Sequence, residues 1–411
     1  MKRMLLSMAA VPLLMSGLSV SASADDGVNI LNDVTVKGEI RPRFETVQVS
    51  GNSKDRANAL TARTHLVVSA GLLGIENLTA TIGLQSVNNF GYANYNSTAN
   101  GKVAYDVIKD PNFAMLSEAS IDYKVGKTAL HAGRSHVNLD NQRFIGTVGW
   151  RQVERSYDTV YAANNSLKDL NLLAAYVYGF QGVGAAPTAN TNTILLNAKY
   201  KVADALTVTA YDYMIASLSD TYGIALTGKV DVGAKISYRA EYAMQADPTM
   251  EINNATVKAD ADYYNLDLGT NISGILAGVN YEVLSGADGS KTTFNPALGT
   301  NHKFNGWADV FYVASKPVGG LKDANVRLGY KAKGFGKVLA VYHDFKADTD
   351  MASTTGVTDD LGSEIDVVYV NAIPGIKNLK GLVKYASYSK GEATGYTNDK
   401  TVGWVQLDYK F

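Results

Sequence analysis

Trp404-Val405-Gln406-Leu407-Asp408-Tyr409-Lys410-Phe411 decides how the rest of the chain is read. Side chains of a strand alternate between its two faces. Val405, Leu407, Tyr409 and Phe411 therefore share one apolar, aromatic face, and Trp404, Gln406, Asp408 and Lys410 share a polar one. Alone, the segment also fits an amphipathic edge strand of a soluble sheet. The pattern elsewhere separates the two readings.

At the other end, Val34, Val36, Ile40, Pro42 and Phe44 form one face, and Lys37, Glu39, Arg41, Arg43 and Glu45 the other. Five charged side chains in a row fit neither a dry core nor lipid. They need water, while the opposite face is wholly apolar. A barrel wall around a wet lumen meets both demands. The next segment repeats the pattern, with Leu60, Ala62, Leu66, Val68, Ala70 and Leu72 outward and Thr61, Arg63, His65 and Ser69 inward. Glu364 and Asp366 against Ile365, Val367 and Tyr369 continue it. The 404–411 segment then reads as the strand that closes an outer-membrane barrel, with Phe411 the residue its insertion machinery recognises.

Lys2 and Arg3, the apolar run from Met4 to Val20 and Ala22-Ser23-Ala24 read as a cleavable secretory signal over residues 1–24. No later apolar run is long enough for a spanning helix. The chain has no Cys, which excludes a disulfide scaffold, cysteine nucleophiles and thiolate metal sites. Its 25 Tyr suit strands and membrane interfaces alike. Net charge is −1, or −3 without Lys2 and Arg3, so nothing points to nucleic acid. A mean hydropathy of −0.08 is too polar for a helical membrane protein and fits a barrel with alternate residues in water.

Short connections near 74–77, 126–127, 165–169, 203–205, 271–274, 334–337 and 374–378 alternate with longer polar stretches at 91–115, 137–155, 181–191, 246–258, 286–322, 347–362 and 391–400. A plain tally gives 19 strands if 304–314 is one. An odd number would put the termini on opposite sides, so 304–314 is assigned to an external excursion over 286–322, with Phe304 and Trp307 packed. The expected fold is all-β: one transmembrane antiparallel barrel of about 18 strands over residues 25–411, with short periplasmic turns and long external loops. The first strand starts too soon after the cleavage site for an N-terminal plug domain.

Residues 133–158, GRSHVNLDNQRFIGTVGWRQVERSYD, together with 301–309, NHKFNGWAD, Tyr342-His343-Asp344-Phe345 and Gly362-Ser363-Glu364-Ile365-Asp366, resemble the Opr-type, alginate-export-like major outer-membrane porins of Gram-negative bacteria. Ser135 departs from the Gln expected after Gly-Arg. The resemblance implies an 18-stranded pore with inward-folded loops. Its cargo ranges from small solutes to anionic polysaccharide.

Read without the family, the 133–158 block concentrates Arg134, Arg143, Arg151 and Arg155 among Asn138, Asp140, Asn141, Gln142, Gln152 and Glu154. Eight of the ten Arg after residue 24 fall between 41 and 155. Arg presents a fixed fork for carboxylates and phosphates, and charged rings set selectivity in pores. The expected constriction therefore comprises Glu39, Arg41, Arg43, Arg63, Arg134, Asp140, Arg143, Arg151 and Arg155, formed as the 137–155 loop folds inward. The alternative for each Arg is an ion pair that merely fastens loop to wall. Of His65, His131, His136, His302 and His343, only His343 beside Asp344 and His65 near Ser69 hint at a triad, and a structural or lumen-lining role is the expected one. Asp348, Asp350, Asp359 and Asp360 lack the spacing of a calcium loop, so no metal or cofactor is expected, nor an enzyme. The expectation is a passive outer-membrane porin for small hydrophilic solutes, with a lean toward anionic ones. Expected partners are membrane lipid, lipopolysaccharide and the insertion machinery, and the assembly is a monomer or homotrimer. An export pore for an acidic polysaccharide such as alginate, and a surface adhesin or structural barrel, are the alternatives.

Overall fold

The computed structural model describes residues 30–216, 218–252, 255–287, 292–311, 317–394 and 398–411, so the expected signal peptide lies outside the described residues. The first strands are β1 (Leu31–Val49), β2 (Ala57–Leu72), β3 (Leu78–Asn88), the two-residue β4 (Ala93–Asn94), β5 (Phe113–Val125) and β6 (Thr128–Ser135). The next are β7 (Ser156–Asn164), β8 (Leu170–Gln181), β9 (Ala189–Ala203), β10 (Leu206–Ile215), β11 (Ser219–Asp231), β12 (Lys235–Ile252) and β13 (Ala255–Ile272). The last are β14 (Ile275–Leu284), β15 (Leu321–Ala332), β16 (Gly336–Ser353), β17 (Gly356–Ala372), β18 (Leu379–Lys390) and β19 (Lys400–Lys410). Strand β4 only extends the edge of β2. The other 18 pair antiparallel in sequence order, and β1 closes on β19 with Glu39 opposite Lys410 and Val47 opposite Val402. Closure removes the sheet edges that lipid does not tolerate.

The period-two pattern sets the orientation of the wall. Val405, Leu407, Tyr409 and Phe411 are exposed on the outside, while Trp404 and Gln406 are buried inside. In β1, Val34, Val36, Ile40 and Phe44 face out and Arg41, Arg43 and Glu45 face in. Outward aromatics gather in two bands. Tyr123, Tyr200, Tyr330, Phe335, Tyr369, Tyr409 and Phe411 lie near the short turns, and Tyr178, Tyr222, Tyr242 and Tyr264 near the loops. Two such bands flanking an apolar belt are the signature of a wall seated in a bilayer.

Barrel closure ends in a close contact. Gly38 and Phe411 exchange backbone hydrogen bonds of 2.8 and 3.0 Å. A Cβ on Gly38 would stand 2.2 Å from the Phe411 ring. Gly38→Leu is therefore expected to displace that ring and weaken the seam by about 1–3 kcal/mol, the usual cost of overpacking. The check is the temperature at which the folded band converts to the unfolded one on unboiled gels. An unchanged midpoint would remove this contact from the seam.

Two stretches differ from the sequence expectation. The described residues of 246–258 and most of 347–362 are not loop but continued strand. Strands β12 and β13 pair up to Ile252–Ala255, and β16 and β17 up to Ser353–Gly356. In both stretches the sequence lacks the apolar alternation that marks the strands of the wall. The 304–314 assignment stands for its described part, since residues 304–311 are not strand.

Candidate functional site

The loop between β6 and β7 (136–155) and the 292–311 part of the loop between β14 and β15 fold into the lumen and lock together. Gly146 N–H donates to the Leu298 carbonyl at 2.9 Å, Thr300 N–H to the Gln142 carbonyl at 2.9 Å and Lys303 Nζ to the Asn141 carbonyl at 3.0 Å. Arg155 reaches the Gly146 carbonyl at 3.1 Å and also contacts the Leu298 carbonyl. Phe144 packs with Tyr211, Tyr263 and Phe294. The two loops thus form one plug.

The arginines fasten this plug to the wall. Arg41 Nη1 donates to the Gly149 carbonyl at 2.9 Å, and Arg43 Nη2 to the Trp150 carbonyl at 2.6 Å. Arg63 bridges Glu39 at 3.2 Å and Glu154 at 3.0 Å. Arg151 joins Glu45 and Asp309, each at 3.0 Å. On the opposite wall Arg143, fully buried, binds Glu282 at 2.8 Å and Asn305 at 2.9 Å and lies over the Phe304 ring. Arg134 makes a two-pronged bond to Asp158 at 2.6 and 2.8 Å within the wall. Asp140 accepts from Asn197 at 2.9 Å and Tyr213 at 3.2 Å. Burial alone would push the Glu154 carboxyl up, but Arg63, His136, Arg41 and His65 together outweigh it and hold it below the usual range.

Backbone amides of the second loop cap carboxylates of β17. Trp307 N–H donates to Asp366 at 3.0 Å and Ala308 N–H to Glu364 at 2.7 Å. Gly306, at φ +82°, lets this happen: a Cβ there would lie 2.5 Å from the Glu364 carboxylate. Beside this contact Lys384 of β18 stands among all three tryptophans of the protein. Its Nζ lies 4.1 Å from the Trp150 ring, 4.0 Å from Trp307 and 5.1 Å from Trp404. His302 stacks on Trp150 and sits 2.7 Å from Lys384 Nζ and 2.8 Å from Asp309. Burial pushes the His302 imidazole down to about 3, so the neutral ring donates to Asp309 and accepts from Lys384.

Between the plug and the wall from β12 to β18 lies a cavity of about 760 Å³. Arg239, Lys303, Arg327 and Lys337 line it, with Trp150, Phe304 and Trp307 from the plug. Its carboxylates are already engaged: Glu282 by Arg143, Asp323 by His343 at 2.9 Å and Asp267 by Arg327 at 2.6 Å. Arg327, Lys337 and Leu339 also line a second cavity of about 620 Å³ toward the short turns, so the two adjoin. None of the nine residues singled out in the sequence lines the larger cavity. Sequence reasoning missed Arg239, Lys303, Arg327, Lys337 and Lys384. Their signal was faint, because they are scattered along the chain and meet only through the register.

No known sequence family and no curated protein matches the chain. Solved structures do match in fold. The crystal structure of Acinetobacter baumannii OccAB4 has a TM-score of 0.72 at 14% identity, covering 93% of this chain and 98% of that one. Pseudomonas aeruginosa OpdK with vanillate gives 0.71 at 13%, covering 93% and 100%. Pseudomonas aeruginosa OccK2 (OpdF) in complex with glucuronate gives 0.69 at 12%, covering 92% and 98%. At these identities the likeness is one of fold.

Proposed function

We propose that this chain is an outer-membrane porin, exported with removal of its signal peptide, through which small hydrophilic solutes diffuse with a preference for anions. One observation carries the reading. The adjoining cavities beside the plug present Lys303 and Lys337, which have no carboxylate partner among the described residues, while the carboxylates that line them are spoken for. In a narrow, poorly screened lumen a surplus of fixed cations favours anions. The glucuronate and vanillate in the OccK2 and OpdK structures are both small carboxylates, which agrees with this reading. The arginines of the 137–155 block act in it by holding the plug that narrows the lumen. A docked plug leaves little room for a polymer, so the diffusion reading is preferred to polysaccharide export.

The test is the reversal potential of the purified protein in a planar bilayer across a salt gradient. The expected result is anion selectivity that falls toward neutral in Lys303→Gln/Lys337→Gln. A cation-selective wild type would overturn the preference.

A further inference from the structure

The smaller cavity, of about 620 Å³, opens toward the short turns and has no carboxylate in its lining. Lys229 of β11, Lys235 of β12, Arg327 of β15 and Lys337 of β16 converge there from four strands. Among the described residues, Arg327 is the one of the four with an acidic partner, Asp267. Lys331 stands directly opposite Lys337 across the β15–β16 ladder. Like charges in cross-strand pairs destabilise a sheet, so this pair costs the fold something and offers it nothing. Asn271 leaves its side-chain NH2 available, while its Oδ1 accepts from Gly274. The volume is that of a small-ligand site.

We propose that this cavity is a binding site for polyvalent oxyanions of the phosphate type, entered from the short-turn mouth. Several ammonium groups at one place suit a ligand with charge at several places, because each Lys offers a mobile point charge and Arg327 a fork. A monovalent carboxylate meets one or two of them and passes. A chain of phosphates meets them together, stays and obstructs the lumen, because this cavity adjoins the larger one beside the plug. The proposal rests on the channel reading above.

The experiment uses the full chain in a planar bilayer in about 0.1 M KCl, where charges within about 10 Å still feel one another, with inorganic tripolyphosphate in one chamber. A biotinylated cysteine replacing Thr355 at the tip of the β16–β17 hairpin, in a chain with no other Cys, reports orientation through streptavidin added to one side. Half-block from the short-turn side is expected at a concentration about tenfold or more below that from the loop side. Lys229→Gln/Lys235→Gln/Lys331→Gln is expected to raise it about tenfold, and about 1 M KCl to abolish the block. Equal block from both sides, or an unchanged half-block in the triple variant, overturns the site. The sidedness of the wild type tests it without any variant. A protein that conducts no ions at all would defeat the channel reading instead.

Discussion

Replacing Arg143 with Met is expected to turn a steady channel into a flickering one of several times higher mean conductance. Arg143 is the joint at which the two loops and the far wall meet: Glu282 on β14, Asn301 and Asn305 on the second loop, and the Phe304 ring all contact its guanidinium. Removing one partner of a buried ion pair typically costs about 3–5 kcal/mol, because the remaining charge is stranded. Glu282 would keep the Tyr263 hydroxyl at 2.8 Å and the Asn305 amide, which softens the loss. Even about 3 kcal/mol shifts the docking equilibrium more than a hundredfold. Pairing the change with Glu282→Gln removes the stranded charge and should restore part of the steadiness. Single-channel traces of the three proteins decide the matter. Identical traces would mean that the plug does not depend on this joint.

Acid is expected to loosen the same plug. The His302 imidazole sits at about 3 in the docked state, against an ordinary 6.5 when free. A depressed histidine contributes its full share to docking above pH 6.5, and that share is lost as the pH falls toward 3. At about 1.4 kcal/mol per pH unit, pH 5 weakens docking by about 2 kcal/mol, or about thirtyfold. His136, pushed down by burial, acts with the same sign. Glu154, held low by its cationic neighbours together against the opposing effect of burial, adds to the loss only as the pH falls below the ordinary carboxylate range. Channel noise should therefore rise from pH 7.5 to pH 5, and His302→Gln should flatten most of that rise. The same pH profile in the variant and the wild type would free His302 from any part in it.

The wall was legible because each strand carries its own orientation: Glu39 to Glu45 and Gln406 to Lys410 reveal their faces without reference to anything distant. The strand extensions at 246–252, 255–258, 347–353 and 356–362 were not legible, since their sequences carry no apolar alternation. The plug was legible only by half. The Arg-rich block announced contacts between loop and wall, yet nothing local distinguishes Arg143, sealed against Glu282 139 residues away, from an arginine in open water. The free cations were the least visible of all. Lys229, Lys235 and Lys337 sit singly at strand ends, and only the register of β11 through β16 assembles them.

The convergence of Trp150, Trp307 and Trp404 on Lys384 gives the molecule a built-in optical gauge. Two of these indoles ride on the plug and the third belongs to the wall, and the sequence holds no other. Every photon of tryptophan emission therefore originates at the seam between plug and wall. Unlabelled protein in detergent will register the seating of its own loops as a change in colour and brightness, with no background from elsewhere to subtract.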